Sequence, residues 1–103
     1  MDMLNIVDCQ VMLEKNEIII ALSKRDIWEQ LHQTQEECGE VIAAINRYRR
    51  KKTIKTMHDL QEEIADLLIM SSQCYLMLNK DTIDSLIKEK LSRCRQRITE
   101  GKL

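Results

Sequence analysis

Residues 36–70 read EECGEVIAAINRYRRKKTIKTMHDLQEEIADLLIM, and the two acidic clusters in this stretch decide the interpretation of the chain. The clusters are EECGE at residues 36–40 and EEIAD at residues 62–66. On a helix, residues three and four apart are neighbours, so carboxylates in this pattern repel by about 0.2 to 0.5 kcal/mol per pair. Because each cluster borders an apolar stripe, a bound cation would turn this cost into a gain. Beyond these clusters we find no internal repeat.

Helical periodicity surrounds the first cluster. Apolar residues recur at three- and four-residue steps over about residues 24–50, and Ser23 with Asp26 forms a candidate capping pair at the start of this helix. Before it, residues 3–14 carry a looser helical stripe. The apolar run 18–22 either extends that first helix or stands apart from it.

The second cluster lies in a helix of about residues 57–78, for which Thr56 and Asp59 form a candidate capping pair. A fourth helix follows over about residues 82–99, with Asp81 at its start and an apolar stripe that is expected to face inward. Short connections between long helices favour antiparallel neighbours, so the helices that carry the clusters should form a hairpin. The sequence therefore predicts an all-α antiparallel bundle of about four helices.

Composition supports this fold class. The 103 residues include no proline and two glycines, and 44% are hydrophobic but only 3% aromatic. Such a core must be built from aliphatic side chains, which suits helix-on-helix packing. We expect one domain over residues 1–103, with an N-terminal helical segment at 1–25 to which the sequence assigns no role. A helical chain this small often completes its core by forming oligomers.

Charge and cysteine content narrow the classes of function. The formal net charge is −1, which gives no overall attraction to nucleic acid or to an anionic membrane. The basic run at residues 47–55 lacks interleaved aromatic residues, so nucleic-acid binding ranks last. The four cysteines show no C-x-x-C spacing and are expected to be reduced and mostly buried. With no signal-like N-terminus and no long apolar run, the protein is expected in the cytoplasm, without a membrane partner.

The acidic clusters predict a metal site. In a hairpin, the cluster carboxylates of the two helices converge beside the packed interior. Ligands that are all oxygen select a hard cation, magnesium or manganese, and magnesium commonly shares its coordination with phosphate oxygens. Glu29 and His32 form the E-x-x-H of di-iron helical proteins, but the required second copy is absent from the sequence. Because magnesium commonly binds phosphate oxygens, a phosphorylated substrate is expected. A single acidic cluster of this kind would be solvated surface charge on most helices.

These residues resemble a known pattern, that of the MazG-like all-α nucleoside triphosphate pyrophosphohydrolases. The pattern is E-E-x-x-E followed, after a variable gap, by E-x-x-D. The matching residues are Glu36, Glu37, Glu40, Glu63 and Asp66. The apolar spacing around both motifs also agrees, and the resemblance covers residues 27–98.

The resemblance implies magnesium-dependent cleavage of a nucleoside triphosphate, or its deoxy form, to monophosphate and pyrophosphate, with manganese as a substitute. It further implies roles for eight residues. The metal ligands would be Glu37, Glu40, Glu63 and Asp66. The phosphate-binding residues would be Lys90, Arg93 and Arg97. Glu36 would be either the base that orients the attacking water or a residue that hydrogen-bonds the ligands without binding the metal. The resemblance also implies a homo-oligomer, because family members of this length form dimers or dimers of dimers in which a neighbouring chain completes each site.

Two alternatives stay open from the sequence. Trp28 either stacks on the nucleobase or packs at a helix interface. The whole chain is either the enzyme just described or a non-catalytic oligomeric helical module whose acidic face docks a partner. Base and sugar preference depend on the shape of the pocket, which neither motif encodes.

Overall fold

The computed structural model describes residues 8–102, which form four α-helices and no strand. The helices are α1 (Cys9–Ser23), α2 (Ile27–Arg50), α3 (Ile54–Met77) and α4 (Lys80–Thr99). The predicted all-α fold of four helices is confirmed. The part of the first predicted stripe that precedes Asp8 lies outside the described residues.

Polar side chains cap the helix starts, at different positions from those predicted. Asp26 alone caps α2, accepting a hydrogen bond from the Glu29 backbone N–H at 2.8 Å. Thr53 caps α3, and Thr56, the predicted start, instead completes a capping box with it. α4 likewise begins earlier than predicted, because the side chain of Asn79 accepts from a backbone N–H of its first turn. Several polar residues compete at each junction, and local spacing did not distinguish them.

α1 is continuous through Asn16, so the apolar run 18–22 extends this helix. The Asn16 side chain is buried, and its Oδ1 accepts a hydrogen bond of 3.1 Å from Gln73 Nε2 on α3. A satisfied buried amide is compatible with a helix interior, whereas an unsatisfied one would cost stability. This bond fastens α1 to α3.

α2 and α3 pack together as the predicted antiparallel hairpin, and α1 packs against α3 as well. Val41 and Ala44 on α2 are the buried apolar residues within the described chain. Gln30 is also buried, and its Nε2 lies 3.5 Å from the Met70 carbonyl oxygen. The interior is therefore small and partly polar.

α4 contacts α3 weakly, and none of its residues is buried. Tyr75 Oη donates a 2.5 Å hydrogen bond to Asp84 Oδ1, which raises the pKa of Tyr75 to about 12. The expected inward stripe of α4 is wrong for the single chain, because Leu91 and Ile98 are 66% and 63% exposed. Nothing else in the described part of the chain packs on this face.

The cysteines also differ from expectation. Cys9, Cys38 and Cys94 are exposed and Cys74 is intermediate, although all four are free thiols. The three exposed cysteines lie on helix faces that the described bundle leaves uncovered, whereas Cys74 Sγ lies 3.1 Å from Thr34 Oγ1 on α2. None of the helices within residues 8–102 combines the length and apolar character needed to cross a bilayer.

Candidate metal centre

The orientation of α2 brings its first acidic cluster toward α3. The helical periodicity predicted Cys38, Val41 and Ile42 among the inward residues of α2. Val41 is buried as predicted, whereas Cys38 is exposed and Ile42 is 62% exposed. The face that packs on α3 is centred on Val41 and on Ala44, which lies in the row beside the predicted stripe. Glu37 lies one helical turn before Val41 on this face, so it is half-buried at the edge of the hairpin.

Three carboxylates meet at this edge. Glu37 from α2 and Glu63 and Asp66 from α3 each offer one oxygen atom, and these atoms all lie within 4.8 Å of one another. Oxygens on opposite sides of a magnesium ion are about 4.2 Å apart, since each bond is about 2.1 Å. The donors are all carboxylate oxygens, so the group fits a small divalent cation with only slight side-chain movement.

The pKa of Glu63 reflects the negative charge of the neighbouring carboxylates. The pKa of its carboxyl is raised, first by partial burial and then by the negative charges of Glu40, Asp66 and Glu37. Arg47, near the end of α2, acts in the opposite direction and lowers it. Glu40 therefore lies close enough to be felt at Glu63, although it is exposed and stands outside the group of three.

Neighbouring side chains hold the α2 carboxylates differently. Gln33 Nε2 donates a 3.2 Å hydrogen bond to Glu37 Oε1, which fixes the Glu37 side chain at the cluster. Glu36 Oε1 instead lies 2.9 Å from His32 Nε2, on the exposed side of the helix. Glu36 is thus adjacent to the three grouped carboxylates without belonging to them.

The predicted phosphate-binding residues Lys90, Arg93 and Arg97 are all exposed on α4. Arg93 Nη2 lies 3.1 Å from Glu89 Oε1 on its own helix. Among residues 8–102, none of these three cations forms an ion pair with Glu37, Glu63 or Asp66, and α4 contacts only α3. Among the described residues, Arg47 is a cation that lowers the pKa of Glu63.

Trp28 is 76% exposed. It lines an open groove of about 800 Å³ along α2, together with Cys38, Gly39 and Ile42. Within the described chain no helix packs over the tryptophan, so both expectations for it, base stacking and interface packing, require a further molecule.

Two residues were given no role from the sequence: His58, and Glu62 at the start of the second acidic cluster. His58 Nδ1 lies 3.1 Å from Glu62 Oε1, an arrangement that matches the His32–Glu36 pair on α2. The signal was present in the chain: residues 32–42 and 58–68 share the pattern H-x-x-Q-E-E-x-x-[E/D]-[V/L]-[I/L]. The expectation of no repeat beyond the acidic clusters is therefore wrong.

A helical hairpin with an oxygen-ligand cluster defines the class as an all-α protein with a candidate divalent-metal centre. The family model of the MazG nucleotide pyrophosphohydrolase domain matches residues 25–97, about seven tenths of the chain. The chain belongs to this family, whose members generally depend on a divalent metal ion, and the match indicates nucleotide pyrophosphohydrolase activity. Comparisons with the curated proteins and with solved structures give no match.

Proposed function

We propose that this protein is a magnesium-dependent nucleoside triphosphate pyrophosphohydrolase, which cleaves the α–β phosphoanhydride of (d)NTP to give (d)NMP and pyrophosphate. Because the chain belongs to this family, the main support for the proposal is the grouping of its carboxylates. Three carboxylate oxygens from two helices lie within 4.8 Å of one another, and partial burial together with the charges of Glu40, Asp66 and Glu37 raises the pKa of Glu63. Such crowding is costly unless a cation is bound.

In this proposal Glu37, Glu63 and Asp66 hold the metal directly, and Glu40 joins them by a change of side-chain rotamer. The bound Mg²⁺, or Mn²⁺ in its place, would neutralise phosphate charge and lower the pKa of a coordinated water. Gln33 keeps Glu37 in place by its hydrogen bond. Glu36 stands beside these ligands, where it either accepts the proton of the attacking water or orients that water.

The phosphates of the substrate are assigned to Lys90, Arg93 and Arg97, and the base to Trp28. Because α4 lies apart from the cluster within one chain, these cations would reach the site from a neighbouring copy. The exposed apolar face of α4 supports a homo-oligomer, a dimer or a tetramer. We assign all of residues 1–103 to one domain, with the motif-bearing core at 27–98, and place the protein in the cytoplasm.

The test is a panel of ribo- and deoxynucleoside triphosphates incubated with purified protein and magnesium, with pyrophosphate and monophosphate as products to be measured. We expect release of pyrophosphate, rather than orthophosphate, from at least one nucleotide. Asp66→Ala should lower turnover by at least a hundredfold with an unchanged helical circular dichroism spectrum, because the exposed Asp66 supports no core packing. Glu14→Ala, an exposed glutamate on α1, is the control and should retain full activity.

If folded wild-type protein releases no pyrophosphate from any nucleotide, the enzyme assignment is wrong. The alternative, a non-catalytic oligomeric module with an acidic docking face, would then be favoured. That module should also show no change in melting temperature with millimolar magnesium beyond the effect of ionic strength.

A further inference from the structure

The chain contains two histidines, and both occupy the same position relative to an acidic cluster. His32 precedes Glu36 by four residues on α2, and His58 precedes Glu62 by four residues on α3. The nitrogen-to-oxygen distances are 2.9 Å and 3.1 Å. All four side chains are more than half exposed, so neither pair serves the packing of the interior.

The shared pattern relates the two helices of the hairpin to each other. An offset of 26 positions superimposes His32 on His58, Glu36 on Glu62 and Glu37 on Glu63. The last of these pairs contributes two of the three clustered carboxylates, one from each helix. Because α2 and α3 pack as an antiparallel pair, this repeat is expected to relate them by an approximate local twofold axis that passes between the helices near the carboxylate cluster.

The local twofold relation places Glu36 and Glu62 equivalently. Each immediately precedes a clustered glutamate and is turned about 100° from it around its helix. Viewed across an antiparallel pair, equal rotations on the two helices point to the same side of the hairpin. The two glutamates are therefore expected to flank the cluster on that side, one from α2 and one from α3.

We propose that Glu62 is the α3 counterpart of Glu36, and that the two glutamates form a matched pair of outer carboxylates around the metal-bound substrate. Each histidine is a positioning residue: its ring N–H donates to one oxygen of the glutamate and leaves the other oxygen free to accept from metal-bound water. This proposal rests on the proposed function, because it adds residues to the same site. Neither Glu62 nor His58 belongs to the E-E-x-x-E or E-x-x-D motif.

One experiment measures position without relying on turnover. With only two histidines, the ring protons give two resolvable sets of NMR signals, which His32→Gln and His58→Gln assign. Paramagnetic Mn²⁺ added at well below one equivalent should broaden both sets to a similar extent. Broadening of the His32 signals alone, or of neither set, would overturn the proposal.

A second experiment measures the contribution to the reaction. Glu62→Gln and Glu36→Gln should each lower kcat about ten- to a hundredfold, with the KM for nucleotide changed less than about threefold. His58→Leu should lower kcat, and His58→Gln, which can still donate a hydrogen bond, should recover part of the loss. The control is Glu14→Gln, an exposed glutamate that accepts a 3.1 Å hydrogen bond from Gln10 four residues earlier, and it should leave kcat unchanged.

Loss of the proposed enzyme activity and loss of the Glu36–Glu62 pairing would give different results. If wild-type protein is inactive, the proposed function fails, while the Mn²⁺ broadening still decides the placement of the histidines. If wild-type protein is active and Glu62→Gln retains kcat within twofold of it, the proposed function stands and the matched pair is wrong.

Discussion

In the metal-free site, Glu63 is the carboxylate whose negative charge is least favourable. Its pKa is raised by partial burial and then by three neighbouring carboxylates. A carboxyl whose pKa is higher in the folded than in the unfolded protein adds stability only while it is protonated. That contribution is present at acidic pH and is lost as the pH rises through the raised pKa. At neutral pH the metal-free protein therefore carries an unfavourable charge that a divalent cation would neutralise.

Glu63→Gln should raise the melting temperature of the metal-free protein at neutral pH, because the amide removes the repulsion and keeps the size of the side chain. The advantage over wild type should shrink as the pH falls into the range where Glu63 itself becomes protonated. Added magnesium should raise the melting temperature of wild type and have little effect on the variant. Thermal denaturation with chelator and with millimolar magnesium, across a pH series, measures both effects. A variant less stable than wild type at neutral pH in chelator would contradict this account.

At the level of the elements, Gly39 is an unusual residue in the middle of α2. Glycine in a helix interior costs about 0.5 to 1 kcal/mol relative to alanine. A Cβ atom built at Gly39 meets no other atom within 4 Å, so packing within the described chain does not require glycine there. The residue opens onto the groove beside Trp28, so the backbone at this turn of the helix is accessible to another molecule.

Gly39→Ala should raise the free energy of unfolding of the isolated chain by about 0.5 to 1 kcal/mol, measured by urea denaturation at concentrations where the chain is monomeric. Ala65 occupies the matching position on α3 in the 26-residue repeat, and Ala65→Gly should lower stability by at least a similar amount. Should Gly39→Ala destabilise the isolated chain instead, contacts within one chain would account for the glycine. Loss of activity with higher stability would place substrate or a second copy against the groove.

For the whole molecule, the main feature is the amount of apolar surface that one chain leaves uncovered. Only Val41 and Ala44 are buried apolar residues in the described chain, whereas fifteen large hydrophobic residues are exposed. Four of these belong to α4, which has no buried residue at all. Apolar surface of this extent on a small protein is typical of an interface between subunits.

Light scattering coupled to gel filtration should give a mass that is a multiple of 12.2 kDa. Leu91→Lys, on the apolar face of α4, should shift the protein toward 12.2 kDa, because a buried lysine in an interface is strongly unfavourable. Ser85→Lys, exposed on the polar side of the same helix, is the matched control and should leave the mass unchanged. An oligomer that persists in Leu91→Lys would place the interface elsewhere.

Helical periodicity was sufficient to predict four helices, the hairpin of α2 and α3 and the identity of the acidic motifs, because these depend on neighbours in the sequence, whereas the exact capping residues were not predicted. The face of α2 that packs was not predictable in this way. Cys38 and Ile42 of the predicted stripe are exposed, whereas Val41 of the same stripe and the small residue Ala44 beside it lie against α3. Small side chains permit close approach of the two helices, and only the folded hairpin reveals that choice.

The sequence by itself determined the helical class, the membership in a metal-dependent family and the carboxylates available for a site. The tertiary structure alone decided that Glu37, Glu63 and Asp66 meet within 4.8 Å, that Glu36 turns toward His32, and that α4 stands apart with its cations. The physical reason is the distance along the sequence over which each interaction acts. Helix formation and charge spacing act over three or four residues, whereas the meeting of α2 with α3 depends on the rotation of two helices about their axes, which no local pattern specifies.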